Sequence, residues 1–532
     1  MQGDIAQREP VQPQDEWRVE QGIAGGEFFL LDQTIPEDTR GGAAKAEPPA
    51  KPSKPKFNGE LAKDELPGWD GYVEWEDYPE KRKEAHEILI SQTFPPPPEF
   101  QLQQIPGTNP VLEGVRWKEW HRAIGGRLKN VPEESWDIVL KEKHPDMLHL
   151  LQFPIPSIDP EAWAMRLDGL VREPKKLTLA DLQDESKFPR MERLVTIQCS
   201  GTRRIEQISL YAGEGDEMIN APWSEGAIGT ARYVGVSLKK VIKYCGGLVD
   251  GAKHLELVGA DTYFKMDEIM NYVVSVPYSK VRAHEVMLVW EMNGEPLPKI
   301  HGAPVRAVVM GYIGARSVKW LYRVTAIREP THAPVQSREY LYFNQQVGKH
   351  NQRWTDGIQI QEMPVSSAIM SPWNKQVVIH KGKIAVKGWA YSGGGRWPER
   401  VEVSADGGFS WYMVPVENLS PKHKYAWRTW HTEVPCDVEG WIEVVVRCWD
   451  NNTQPTEVRN TWNWGLHVTS SAHRIRIYSV NKSKELTRSR LEEFEERGIS
   501  FVPITRPTEF PSMTWEDYDT FFAKNGARDV EV

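Results

Sequence analysis

Little in this sequence suggests a stapled, membrane-spanning or nucleic-acid-binding protein. It has four cysteines in 532 residues, namely Cys199, Cys245, Cys436 and Cys448. They are widely spaced with no CxxC pair, so neither a zinc cluster nor a disulfide scaffold is indicated, and the thiols are expected to be reduced. No apolar run approaches the length of a membrane span. The opening residues, MQGDIAQREPVQPQDEW, lack the basic flank and apolar core of a secretory signal, and their early acids argue against an intact mitochondrial presequence. A presequence removed ahead of this numbering is compatible with the same residues, so cytosolic and mitochondrial locations both stay open. Positive charge is in deficit, with 65 Lys and Arg against 74 Asp and Glu for a net charge of -9. That balance gives no general pull toward nucleic acid or an anionic membrane, so any anion site must be built locally. No internal repeat organises the chain.

What is present is the composition of a globular protein, 40% hydrophobic and 26% charged, in a chain long enough for two or three domains. Residues 1–110 read as an extended, Pro-rich N-terminal arm. Its Pro48 to Lys56 segment cannot bury much, and Gly26 to Leu31 (GEFFLL) is apolar enough to pin it somewhere. Within the arm, Pro79 opens a helix through Ser91, and Pro95 to Pro98 forms a polyproline II spacer. From Met147 the pattern is α+β. Strands are expected at Ala164–Leu170, Leu194–Gln198, His254–Val258, Val286–Trp290 and Val305–Val309, with helices at Thr178–Asp184, N-capped by the threonine, and Leu238–Cys245. Near Met363 the texture changes to period-2 strands. Val401 and Val403 lead into an Asp406-Gly407-Gly408 turn, with Phe409 and Trp411 beyond it, and Ile442, Val444, Val446 and Cys448 alternate. This is a β-sandwich pattern of roughly 110 residues, the size of an immunoglobulin-like module. A helix over Ser483–Arg497 ends at Gly498, which suits a left-handed cap. A second WEDY (Trp515–Tyr518) in the tail echoes Trp75–Tyr78.

One stretch carries chemistry: Val195 to Arg204, VTIQCSGTRR. An apolar strand runs into a thiol, a glycine and two arginines. Fixed positive charge favours thiolate, which is both a nucleophile and a soft-metal ligand. A single cysteine in such a place is more often a small buried hydrophobe beside a structural ion pair. Downstream, Trp223–Gly235, Glu291–Arg306, Gly311–Trp320 and Arg338–Phe343 combine backbone-exposing glycines with basic or aromatic side chains, which suits a phosphate-bearing cofactor.

Together these segments resemble the sulfite oxidase family of molybdenum cofactor (molybdopterin) enzymes, which includes the molybdenum domain of eukaryotic nitrate reductase. QCSGTRR is similar to the family's QCAGNRR, and EMNGEPLPKIHGAPVR and GARSVKWL stand almost unaltered. YSGGGRWPERVEVSADGGFSW and YAWRTW are similar to its C-terminal dimerisation domain. The resemblance, from about Pro154 to Tyr478, implies a molybdopterin-binding oxidoreductase domain over 111–358, an immunoglobulin-like dimerisation domain over 359–480, and a C-terminal helix and tail over 481–532. It implies that Cys199 is the protein ligand of molybdenum, that His301, Arg306 and Lys319 hold the pterin and its phosphate, and that Ser317 and the amides of Gly314 to Lys319 assist. Asp261 matches an acidic residue in the loop after the strand ending at Val258. Tyr340, Arg204 and Trp223 fall at the tyrosine, arginine and tryptophan of the anion pocket. The implied chemistry is oxygen-atom transfer to sulfite or a related small oxyanion, in a homodimer. No haem, flavin or nicotinamide module is recognisable, so electrons would pass to an external acceptor such as cytochrome c or oxygen.

Two departures bear on the substrate. The family's FxRNHxPVP appears as HLLQFPIP, which puts Leu150, Leu151 and Gln152 where arginine, asparagine and histidine are expected. A second arginine, in WNLRG, aligns with Gly465, and His467 is near enough to substitute in part. Charge-assisted hydrogen bonds contribute about 1.5–3 kcal/mol each, so losing two would weaken a dianion by roughly 3–6 kcal/mol. An alternative reading follows: a family member with a decayed pocket, retained as a structural or interaction subunit whose terminal arms clasp protein partners.

Overall fold

The computed structural model describes residues 65–73 and 155–498, apart from 205, 208–224, 266–267, 349–350, 373, 375–376, 453–455 and 457–462. The GEFFLL segment, the helix at 79–91, the proline run, both WEDY sequences, Leu150 to Gln152 and Trp223 lie outside the described residues.

The N-terminal arm is fixed to the body at a place its composition did not mark. Strand β1 (Trp69–Val73) pairs antiparallel with β2 (Ile155–Ile158), and Leu66 just ahead of it is buried in the main core. Gly68 has φ +79, and a Cβ there would lie 2.7 Å from the Asp159 carbonyl oxygen, so the tight approach of the two chains requires glycine.

Two five-stranded sheets follow. Their strands are β3 (Ala164–Gly169), β4 (Lys175–Thr178), β5 (Met191–Gln198), β6 (Ile228–Ser237), β7 (His254–Lys265), β8 (Glu268–Pro277), β9 (Val286–Met292), β10 (Glu295–Pro296), β11 (Arg306–Val309) and β12 (Leu321–Ile327). One sheet runs β10-β9-β6-β5 with β11 also paired to β9, and the other runs β4-β3-β12-β7-β8. Every pairing is antiparallel except β3 with β12. Short helices α1 (Leu179–Gln183), α2 (Leu238–Tyr244) and α3 (Tyr278–Arg282) bridge strands. The helix α1 has a reciprocal cap: Asp181 N donates to Thr178 Oγ1 at 3.1 Å, and Thr178 N donates to Asp181 Oδ2 at 3.0 Å. The core between these elements includes Trp163, Met165, Leu257, Val274, Leu288 and Trp320. The observed strands contain most of the expected ones and extend several, since backbone pairing continues past the end of an alternating apolar pattern.

The second half is the expected sandwich. After the short pair β13 (Leu341–Tyr342) and β14 (Ile358–Gln359) come β15 (Ser366–Ser371), β16 (Val377–His380), β17 (Lys383–Tyr391), β18 (Pro398–Ser404), β19 (Tyr412–Met413), β20 (Arg428–Pro435), β21 (Gly440–Asp450) and β22 (His473–Asn481). A β15-β17-β20 sheet packs on a β16-β22-β21-β18-β19 sheet. Ile384, Val386, Val401, Val403, Val444, Val446 and Trp430 fill the space between them, as the period-2 pattern requires. The Asp406-Gly407-Gly408 turn is present, but its second arm is only the two residues of β19, and Phe409 is 94% exposed. Asp406 accepts from the amides of Phe409 and Ser410, and so holds those residues in the turn. Helix α4 (Glu485–Glu496) closes the described chain, with Gly498 at φ 65 beyond its end.

Candidate functional site

The site begins where β5 ends. Cys199 is buried, and its Sγ accepts from Gly201 N at 3.3 Å. The loop is tied down behind it: Cys199 N donates to Ala227 O, and the Thr202 hydroxyl lies 2.8 Å from Cys199 O and 2.7 Å from Ala227 O. The two arginines that follow have different partners. Arg203, in the left-handed region at φ 65, points its guanidinium away to form a two-pronged ion pair with Glu206 at 2.6 Å on each arm. It also donates to Ser367 O and Ser471 O. Arg204 turns back over Gly201, where a Cβ would lie 2.3 Å from its Nη2. Its Nε donates to Leu466 O at 3.0 Å and its Nη2 faces His467 Nδ1 at 3.4 Å. Burial lowers the Arg204 pKa, opposed by its neighbours Cys199 and Tyr340.

His467 was singled out in the sequence only as a neighbour of Gly465. The structure buries it to 1% exposure in the middle of this group. Nδ1 is 3.0 Å from Ser200 Oγ, and Nε2 is 3.0 Å from Glu339 O. A carbonyl can only accept, so the proton sits on Nε2, and Nδ1 accepts from Ser200 and Arg204. Burial, and then the Arg204 charge, push the His467 pKa down to about 3. The imidazole is therefore neutral. Tyr340 follows a single π-helical turn, Val335–Glu339, that presents the Glu339 carbonyl, and its ring centroid lies 5.7 Å from that of His467.

A second group is joined to the first through the 3-10 turn Gly314–Arg316. Arg316 Cζ stands 5.8 Å from the Tyr340 ring centroid. The side chain is completely buried, donates to Gln361 Oε1 and Ile360 O, and makes no ion pair with a described carboxylate. Burial pulls its pKa down to about 10. Beyond it, Ser317 Oγ accepts from Val309 N, and Arg306 donates to His301 O at 3.1 Å and Ser317 O at 3.2 Å. Gly302, at φ +99, leaves no room for a Cβ, which would lie 2.6 Å from Lys319 Cβ. Lys319 is fully buried with Nζ 4.4 Å from the Trp320 ring centroid. Burial pushes Asp261 up to about 7, against the pull of Lys319. Asp261 is not in a loop, as the sequence suggested. It lies inside β7 at an irregularity between Val258 and Thr262, where the shift in register re-aims the side chain.

The structure thus gathers Cys199, Arg204 and Tyr340 in one cluster and His301, Arg306, Ser317, Lys319 and Asp261 in another. It adds Ser200, Arg316 and His467, which sequence reasoning did not assign. A buried arginine with no acidic residue in its own motif, GARSVKW, was the available signal for Arg316. For His467 the sequence offered only its nearness to Gly465, because its contacts are with residues more than 100 positions away.

Three observations fit an anionic, sulfur-bearing cofactor. Among the described residues, Arg306 Nε, Arg316 Nη1 and Asp261 Oδ1 are buried with no hydrogen-bond partner. Arg306 and Arg316 are buried with carbonyl and amide oxygens as their described hydrogen-bond acceptors, and burial disfavours the charge on Asp261. Buried guanidiniums in such a setting suit an anionic ligand. Finally, no three described His, Cys, Asp or Glu residues are placed to hold a metal together. A metal on Cys199 would need its other ligands from a cofactor.

Comparison with known proteins agrees. Residues 152–335 match the family model for the oxidoreductase molybdopterin binding domain, and 358–480 match that for the Mo-co oxidoreductase dimerisation domain. The chain is 36% identical over 334 residues to human mitochondrial sulfite oxidase, an alignment spanning 61% of this chain and 59% of that one. With the Arabidopsis thaliana sulfite oxidase it shares 34% identity over 60% of this chain and 84% of the relative. The sulfane dehydrogenase SoxCD of Paracoccus pantotrophus has the same fold, with a TM-score of 0.51 and 23% identity over 62% of this chain and 78% of that one. With both halves of the fold and the thiol loop in agreement, the chain belongs to the sulfite oxidase family of molybdopterin oxidoreductases.

Proposed function

We propose that this protein is a molybdenum-cofactor oxidoreductase that carries out oxygen-atom transfer to sulfite or a related oxyanion and passes electrons to an external acceptor. The observation that carries this reading is the buried thiol of Cys199 beside Arg204, joined through the Gly314–Arg316 turn to a second buried group that holds Arg306, Ser317 and Lys319. When bound, the molybdenum–molybdopterin group supplies a two-electron centre that exchanges an oxygen atom with substrate. In net terms sulfite and water give sulfate, two protons and two electrons.

The rest is the work of the chain. Cys199 offers its sulfur as the protein ligand, with the Gly201 amide fixing its direction. Arg306, Lys319, His301 and Ser317 would hold the pterin and its phosphate, with Arg306 Nε buried and left for that use. Arg204, pinned through Nε to Leu466 O, would orient the oxyanion. Tyr340 Oη holds a proton for a substrate oxygen, and the burial of every one of these groups strengthens each contact by excluding water. A homodimer through the sandwich accords with the match of 358–480 to a dimerisation domain.

The test is molybdenum and molybdopterin content of protein made in a host that synthesises the cofactor, followed by sulfite-dependent reduction of ferricyanide or cytochrome c. About one molybdenum per chain is expected. A metal-free but folded protein would overturn the reading.

A further inference from the structure

The segment that carries His467 is held in an unfavourable backbone shape. Leu466 and Val468, on either side of the histidine, both lie in the left-handed region at φ 50. Residues with a Cβ rarely adopt that conformation, and a β-branched valine least of all. Such a shape persists only where its surroundings hold it, so its hydrogen-bond partners show what it serves.

The main partner is Asn463, which is 1% exposed. Its side-chain amide closes on the backbone of His467 from both ends: Oδ1 accepts from His467 N at 3.2 Å, and Nδ2 donates to His467 O at 3.0 Å. The Asn463 carbonyl also accepts from Leu466 N at 2.8 Å. A backbone N–H can only donate and a carbonyl can only accept, so the orientation of the Asn463 amide is fixed. Gln207, equally buried, supports that orientation. Its Oε1 accepts from Asn463 Nδ2 at 3.3 Å, while its Nε2 donates to His467 O at 3.3 Å and to Thr469 Oγ1 at 2.9 Å.

The bond from His467 N reaches beyond the histidine, because His467 N and Leu466 O belong to one peptide plane. In a trans peptide the N–H and the C=O point in opposite directions. Asn463 holds the N–H edge of that plane, and on the other edge the Leu466 carbonyl accepts from Arg204 Nε at 3.0 Å. Rotating the plane would withdraw that acceptor from the guanidinium.

We propose that Asn463 is a positioning residue for Arg204: it fixes the Leu466–His467 peptide plane, and through the Leu466 carbonyl it aims the guanidinium that orients the oxyanion. This rests on the reading of function above, in which Arg204 meets the substrate. Gln207 acts one step further back, by orienting the Asn463 amide.

Three variants of the full-length protein test this. Asn463→Leu keeps the volume and removes the grip on His467, whereas Asn463→Asp keeps an oxygen for His467 N. Thr469→Val takes one hydrogen bond from Gln207 without touching the peptide plane, and so reports plain loss of packing. Molybdenum is counted in each sample, sulfate affinity of the oxidised protein is measured by titration calorimetry, and sulfite turnover gives KM and kcat. Asn463→Leu is expected to raise the sulfate Kd and the sulfite KM on the order of tenfold, with kcat and molybdenum content unchanged. Asn463→Asp and Thr469→Val are expected to stay within about threefold of wild type. Should Asn463→Leu not fold, Gln207→Met, which removes the acceptor that orients the Asn463 amide, takes its place with the same expectation. A loaded Asn463→Leu protein with wild-type affinity, or a Thr469→Val protein with an equal loss, would overturn the positioning role and leave the oxidoreductase reading intact. So would an Asn463→Asp protein as weak as Asn463→Leu, since the oxygen facing His467 N would then not be what aims Arg204. A metal-free wild type, or a loaded one that neither binds sulfate nor oxidises sulfite, would instead overturn the reading of function.

Discussion

At the scale of single residues, the thiol loop divides its labour among neighbours that look equivalent in sequence. Arg203 and Arg204 are adjacent, yet one pairs with Glu206 and the other faces His467. The left-handed backbone at Arg203 is what sends them in different directions. Replacing Cys199 by Ser keeps the size of a buried side chain but removes the soft donor. Turnover of sulfite should fall by orders of magnitude with an unchanged circular dichroism spectrum, and X-ray absorption at the molybdenum edge should count one sulfur fewer. An unchanged sulfur count would show that Cys199 is not a ligand. Gly201→Ala acts on Arg204 alone: the new Cβ, 2.3 Å from Nη2, forces the guanidinium out of place. A stability loss of about 1–3 kcal/mol is expected from such overpacking, together with a raised KM for the oxyanion and little change in molybdenum content. An unaltered KM would mean that Arg204 does not touch substrate.

At the scale of elements, the strands were legible because one face of each is buried, and alternation records that directly. Val444 and Val446 on β21 are inward-facing and were marked by period alone. Irregular backbone was legible only through resemblance. His301 comes from a 3-10 turn that no periodicity announces, and β1 lies in an arm read as extended because its partner β2 is some eighty residues away. The segment holding His467 has no regular structure, so nothing local could identify its contacts. The helix α1 is the opposite case, since its cap is written in the sequence. The Lys187 hydrogen bond, with the Thr178 amide behind it, holds the Asp181 pKa near 2, below the usual carboxylate value. A depressed acid contributes stability that is fully present above the unfolded pKa near 4 and is lost as pH falls through about 2. Asp181→Asn should therefore be less stable than wild type at pH 5, and the gap in urea midpoints should close as the pH falls toward 2. Thr178→Ala should cost about 1 kcal/mol across the range, as loss of an N-cap does. A gap between Asp181→Asn and wild type that is constant with pH would remove the charge from the account of this cap.

At the scale of the whole molecule, the sandwich is more than a neighbour of the molybdopterin domain. Between β21 and β22 the chain leaves the sandwich and runs along the thiol loop: Val468 N donates to Ser200 O at 2.6 Å, Gln207 Nε2 to Thr469 Oγ1 at 2.9 Å, and Arg203 Nη1 to Ser471 O at 2.8 Å. Arg203 reaches a second sandwich segment through Ser367 O at 3.0 Å, and His473 Nε2 sits 3.5 Å from Glu206. One guanidinium thus ties two pieces of the sandwich to the loop that carries Cys199. The two halves should consequently unfold in one calorimetric transition. Arg203→Met removes one partner of a buried ion pair, a change that costs roughly 3–5 kcal/mol, and the low end applies because Glu206 keeps some contact with water and with His473. The larger consequence is cooperativity. With the tie gone, the single transition is expected to separate into two, and molybdenum is expected to leave with the first. If Arg203→Met still melts in one step, the strap from 463 to 473 holds the domains together without it. The coupling between sandwich and cofactor loop would then rest on the backbone contacts of Ser200 and Val468.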